Sequence, residues 1–333
     1  MYSDDKSGDL NSPHSLGRYR KKGLVTTNDI RRFVGIPTFL RVPLMGDVEK
    51  PKFGIVGIPY DGGVARTPGT RFGPRGIRNA CWRSPEYHEG LDVALSEQNS
   101  VVDCGDMLIS PMLVQDALTT IDNEISDLLA QGITPVSVGG DHGITYPILH
   151  AMNRVYGKVA IVHFDAHSDT WDSYFGGYKY THGTPFRRAI EENLINPKKY
   201  VMLGIRGSLY DPEDFTWARD QGVTIITLDE YYKMGFEKSM DLVKKVLGSS
   251  KTYLTFDIDG IDPTFAPGTG TPEVGGFNVR ESQLIIRALN EINFVGADVV
   301  EVSPPFDLNN MTSLVGATMA FEILCTMTRT NSL

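Results

Sequence analysis

Cysteine is scarce in this 333-residue chain: Cys81, Cys104 and Cys325 stand far apart and odd in number. That argues against a disulfide framework and against a thiolate zinc site, leaving buried structural thiols. Long apolar runs are also missing, and no stretch approaches the roughly 18 residues of a membrane span. Met1-Tyr-Ser-Asp-Asp-Lys6 lacks a basic-then-apolar export pattern, so the cytoplasm is the expected location. Positive charge is in deficit: 32 Lys and Arg against 41 Asp and Glu leave a net charge of -9. A nucleic-acid partner is therefore not expected, and the short clusters Arg20-Lys21-Lys22 and Arg31-Arg32 read as solvated faces. Phosphate cradles are absent too. Gly139-Gly140 does not extend to a GxGxxG loop, no GxxxxGK[ST] occurs, and Pro267-Gly-Thr-Gly270 places its glycines in a strand-end turn.

What is present is an ordinary globular composition, 41% hydrophobic and 22% charged, in a chain long enough to bury a large core. Residues 1–50 are polar, then mixed, with Pro37 and Pro43 as breakers, and Pro51 follows. They read as an irregular N-terminal arm with one short helix over 29–34. Neither a repeat nor a low-complexity linker divides the rest, so 51–330 is read as one catalytic domain. Short, uninterruptedly apolar runs predict strands over 53–58, 101–102, 134–138, 159–162, 200–203, 223–227, 253–256 and 294–302. Helical spacing predicts helices over 75–81, 114–129, 144–156, 186–192, 212–221, 236–247, 280–291 and 313–327. This alternation fits an α/β fold whose parallel sheet is covered on both faces.

The chemistry gathers where predicted strands end. His163-Phe-Asp-Ala-His-Ser-Asp169 follows one strand, Asp257, Asp259 and Asp262 follow another, and Gly139-Gly-Asp-His142 closes a third. Strand C-termini of a parallel sheet converge on one crevice. Asp165 and His167 are two apart and can point to the same side; Asp169 extends the series, and Asp257 with Asp259 repeats it. His163 shares that parity but sits at the strand end, so it is left out of the ligand set. Asp262, before Pro263, either holds its loop or orients a ligand histidine, and Asp141 orients the site from behind. So many close carboxylates would repel one another without a cation. Carboxylate and imidazole ligands without thiolate suit manganese, with nickel, cobalt or iron as alternatives. A calcium loop is excluded because position 268 is Gly rather than Glu. Two metals about 3.5–4 Å apart can share a hydroxide, whose natural target is a planar electrophilic carbon.

These segments, with Phe256-Asp-Ile-Asp-Gly-Ile-Asp262-Pro-Thr-Phe-Ala-Pro-Gly-Thr-Gly-Thr-Pro272 and Glu301-Val-Ser-Pro-Pro305, resemble the ureohydrolases, the arginase and agmatinase group. The resemblance runs from about residue 50 to 328. It implies a three-layer α/β/α fold with a parallel sheet of about eight strands, and two manganese ions per subunit, with nickel or cobalt as alternatives. The implied reaction is hydrolysis of a guanidino group to urea and an amine. By the same resemblance His142, Asp165, Asp169 and Asp257 would hold one metal, and Asp165, His167, Asp257 and Asp259 the other, with Asp165 and Asp257 bridging. Glu301 would bind the guanidinium, and His182 would relay a proton to the leaving amine. A homo-oligomer, trimer or hexamer, is implied, with the arm at subunit contacts and room for a paralogue as partner.

The segment Thr170-Trp-Asp-Ser-Tyr-Phe-Gly-Gly-Tyr-Lys-Tyr-Thr181 is aromatic with one cation, and most resembles hydrolases of short guanidino acids. Thus 4-guanidinobutyrate or 3-guanidinopropionate is the expected substrate; Lys179 and Arg187 are either partners for its carboxylate or surface residues. Agmatine would instead want an acid such as Asp172, and an N-alkylated guanidine would use the aromatic content. Two further readings are an amide hydrolase of related fold and a non-catalytic, metal-stabilised subunit of a hetero-oligomer.

Overall fold

Eight strands form the central sheet: β1 Phe53–Gly57, β4 Val101–Asp106, β5 Thr134–Val138, β6 Val159–Phe164, β7 Ile195–Ile205, β8 Thr224–Thr227, β9 Thr252–Asp257 and β10 Phe294–Val300. A separate two-stranded ribbon pairs β2 Tyr87–His88 with β3 Val93–Ala94. The computed structural model describes residues 35–81, 87–95, 101–209 and 211–330. The helix expected over 29–34 lies outside them. The sheet order is β4-β1-β5-β10-β9-β6-β7-β8, and every neighbouring pair is parallel.

Alternation along each strand divides the core in two. On β6, Ala160, Val162 and Phe164 join one apolar cluster while Val159 and Ile161 join the other. Helices α1 Gly73–Ala80, α6 Leu228–Met234, α7 Phe236–Leu247, α8 Val279–Ala288 and α9 Met311–Thr330 contribute to the first. Helices α2 Val114–Ala130, α3 Thr145–Tyr156, α4 Pro185–Glu191 and α5 Glu213–Asp220 contribute to the second. The result is the three-layer α/β/α architecture expected from the sequence. A strand buried on both faces has no polar face to display, which is why these runs are short and mostly apolar.

Helix α9 is long and apolar enough to cross a membrane by composition, but most of it is buried in the core. It starts two residues earlier than its periodicity suggests because Asp307 accepts from the amides of Thr312 and Ser313. Helix α6 lies outside the predicted helices, although Thr227 and Glu230 form a reciprocal capping box at its start. The three thiols are free; Cys81 and Cys325 are buried and Cys104 half-buried. Burial pushes Cys81 and Cys104 up to about 12, so neither is a ready nucleophile.

Candidate metal centre

Four adjacent central strands, β5, β10, β9 and β6, end at one place, and each delivers a polar residue there. Asp165 follows β6, Asp257 ends β9, Glu301 follows β10, and His142 stands four residues beyond β5. The turn after β5 needs its two glycines. Gly139 and Gly140 have φ of 84° and 79°, and a Cβ on Gly140 would lie 2.7 Å from the Ile58 carbonyl oxygen. The Gly140 carbonyl in turn accepts from the Glu301 amide at 3.0 Å, holding Glu301 at a φ of 63°. A left-handed non-glycine residue costs about 1–3 kcal/mol, and such strain concentrates at functional positions.

Two groups of potential donors result. In the first, His142 Nδ1 faces carboxylate oxygens of Asp165, Asp169 and Asp257 at 3.1, 2.9 and 3.2 Å. In the second, His167 Nδ1 lies 3.4 Å from Asp165 Oδ1 and 3.1 Å from Asp259 Oδ2. Asp165 stands between them, one oxygen toward each. Asp257 turns Oδ2 to His142, while its Oδ1 accepts the Asp259 amide at 2.8 Å. His163 lies close enough to join the first group, but both its nitrogens are engaged. Nε2 meets Asp165 Oδ2 and Nδ1 meets the Tyr200 hydroxyl, each at 2.8 Å. These two contacts fix the His163 ring between Asp165 and Tyr200.

A chain of hydrogen bonds behind His142 tests whether this place suits a cation. Buried Asp298 accepts from the hydroxyls of Thr145 and Tyr253, both at 2.8 Å, and Thr255 at 2.6 Å. Thr255 has spent its only proton on Asp298, so its oxygen must accept from His142 Nε2 at 2.8 Å. The proton of a neutral ring is therefore on Nε2. Its bare Nδ1 then faces three carboxylate oxygens and makes no aligned hydrogen bond. Lone pair against three anions is untenable unless a proton or a metal ion sits among them. Carboxylates and imidazoles with no thiol suit a hard or borderline divalent ion. Removing this support, Thr255→Val is expected to weaken metal binding roughly 10–100-fold. Calorimetric metal titration of the variant checks it, and an unchanged affinity would refute the relay.

The electrostatics agree. Burial raises Asp257 and Asp259; neighbouring carboxylates add to the rise, while His167 opposes it at Asp259 and His142 at Asp257. Burial also acts to raise Asp165, yet His142, His163 and His167 hold it well below the usual carboxylate range. Burial opposes charging His142 and His167, but the carboxylates around them win and hold both well above an ordinary histidine. Without metal the site thus retains protons where ligands would have to lose them.

Above this centre lies a cavity of about 560 Å³, lined among others by His167, Asp169, His182, Asp257 and Glu301. Glu301 Oε1 accepts from the His142 amide at 2.9 Å and meets His182 Nδ1 at 3.0 Å. Its other oxygen, Oε2, is buried and has no hydrogen-bond partner among the described residues. Burial opposes protonation of His182, but Glu301 pushes it up to about 9. The Ala65 amide donates to His182 Nε2 at 3.0 Å, so in the neutral ring the proton is on Nδ1, and charging the ring requires this contact to open. Burial, then Glu301, raises Asp141 to about 7, while its carboxylate accepts the Gly63 and Gly143 amides.

Other expected residues have different duties. Asp262 accepts the amides of Thr264, Gly275 and Gly276, so it holds its loop. Arg187 pairs with Glu191 at 2.8 Å and lies 3.8 Å over the Trp217 ring; neither it nor exposed Lys179 lines the cavity. Asp172 is exposed beside Arg188 and lies outside the lining as well. Arg66 and Arg206 do line it, and no feature of the sequence singled them out.

The chain matches the model of the Arginase family over residues 51–326. It is 47% identical over 297 residues to a guanidinopropionase of Pseudomonas aeruginosa, covering 89% of this chain and 93% of that protein. A guanidinobutyrase of the same organism is 41% identical over 303 residues, covering 90% and 95%. Among solved structures, the proclavaminate amidino hydrolase of Streptomyces clavuligerus superposes with a TM-score of 0.86 at 37% identity, covering 90% of this chain and 100% of that one.

Proposed function

The chain belongs to the arginase family and catalyses metal-dependent hydrolysis of a guanidino compound to urea and an amine; from that premise we propose that the compound is a short guanidino acid. Either 4-guanidinobutyrate or 3-guanidinopropionate fits, with two manganese ions as the metals. Glu301 Oε2 supports the assignment most directly. A buried carboxylate oxygen without a partner is costly, and a planar guanidinium offering paired N–H groups removes that cost. The acid tail is supported by the 47% and 41% identities to proteins named for hydrolysing such acids.

Residues of the chain divide the work as follows. His142, Asp165, Asp169 and Asp257 would hold one ion, and Asp165, His167, Asp257 and Asp259 the other. When bound, such a pair supplies Lewis acidity and brings the ionisation of water toward neutral pH. Glu301 fixes the guanidinium plane through Oε2 while Oε1 stays tied to His142 and His182. Substrate orientation is thereby coupled to a backbone amide next to the metal ligands. Glu301 favours the charged form of His182, which passes a proton to the departing amine. In sum, R–NH–C(NH2)2+ and water give urea and R–NH3+.

Equal amounts of urea and amine should form from either acid. Activity should disappear on chelation and return with manganese, read by parallel urea and amine assays with metal analysis. Urea without the matching amine, or turnover that survives complete metal removal, would overturn the reading.

A further inference from the structure

The lining of the cavity contains two guanidinium groups, and their situations differ. All five N–H donors of Arg206 are taken by backbone: Nε by Val274, Nη1 by Gly204 and Gly260, and Nη2 by Asp259 and Glu273. It staples the loop after β9 and has nothing left for a ligand. Arg66 is exposed and makes neither a hydrogen bond nor an ion pair among the described residues.

Its backbone is nonetheless held firmly. The Gly63 amide donates to Asp141 at 2.7 Å, the Gly63 carbonyl accepts from His182, and the Ala65 amide donates to His182 Nε2. On the far side of Arg66, the Gly69 amide donates to buried Asp61 at 2.8 Å. A fixed backbone with a free side chain is what an adaptable anion anchor requires. Glu301 is nearby: two 3.0 Å hydrogen bonds and the width of the His182 ring join it to the Ala65 amide. A substrate spanning that gap would have its guanidinium on Glu301 and its other end near Arg66.

We propose that Arg66 binds the carboxylate of the substrate and so selects short guanidino acids, an inference that rests on the guanidino-acid reading above. The cavity also holds the half-buried Glu273, the group an amine tail would seek. Arg66 opposes such a tail by charge, so it acts against agmatine as well as for acids.

The test compares kcat/KM of the manganese-loaded enzyme for 3-guanidinopropionate, 4-guanidinobutyrate, agmatine and propylguanidine, in wild type, Arg66→Ala and Arg66→Lys. In R66A the ratio of either acid to propylguanidine should fall roughly 10- to 100-fold, mostly through KM, as expected for a lost charge-assisted pair. The ratio of agmatine to propylguanidine should rise, and R66K should recover part of the acid preference. Equal losses on all four substrates, or an unchanged acid ratio, would overturn the assignment of Arg66 while leaving the guanidino-acid reading intact. A wild-type enzyme that favours agmatine or propylguanidine over both acids would overturn that reading itself, and this anchor with it.

Discussion

Replacing Asp165 with asparagine is expected to lower kcat/KM by about 10³-fold or more, with bound metal falling from two ions per chain toward one. The size of the effect follows from the position of this side chain. One oxygen lies 3.1 Å from His142 Nδ1 and the other 3.4 Å from His167 Nδ1, so both donor groups depend on it. Each oxygen has a second duty: Oδ1 accepts the His167 amide at 2.6 Å and Oδ2 meets His163 Nε2 at 2.8 Å. An amide has the same shape, but its NH2 must face either a cation or an N–H donor. Neither arrangement is tolerable in a fully buried position. Urea release and metal analysis of the purified variant decide the matter together. Full activity with two bound ions would remove Asp165 from the centre.

The strand-end origin of this geometry explains how far the sequence could be read. Eight apolar runs became eight strands because a strand covered on both faces leaves no other pattern. Their carboxyl ends then had to meet, so Asp165, Asp257 and His142 could be grouped before their distances were known. Less legible is the chemistry inside the apolar runs and in loops. Asp298 interrupts the strand 294–300 with a carboxylate, and Thr255 puts a hydroxyl in β9; either is a signal once a buried charge is asked where its partners lie. Arg66 left no such signal, because an exposed arginine in a glycine-rich loop looks like any solvated residue until the fold brings that loop against His182. Lys179 and Arg187 are near the ligand run along the chain, yet neither lines the cavity. Arg187 instead spends its charge on Glu191, one helical turn away.

Glu301→Gln separates substrate binding from metal binding, and its expected effect is nearly as large: kcat/KM falls by roughly 10²–10³-fold while both metal ions remain. The carboxylate touches no other member of the donor groups except through the His142 amide, which a glutamine oxygen can still accept. The loss arises at Oε2, where an NH2 would point its hydrogens at those of the guanidinium. The same change should alter the pH profile. Burial opposes charging His182, and Glu301 is the main influence that pushes it up to about 9. Without that carboxylate the protonated ring is less stable, so its pKa falls. Because the reaction uses the proton on His182, the alkaline limb of kcat should move to lower pH. Glu301→Gln with unchanged metal content, depressed kcat/KM and a shifted alkaline limb would separate this role from ligation. Loss of metal in the variant would instead make Glu301 part of the centre, and an unmoved limb would break its link to His182.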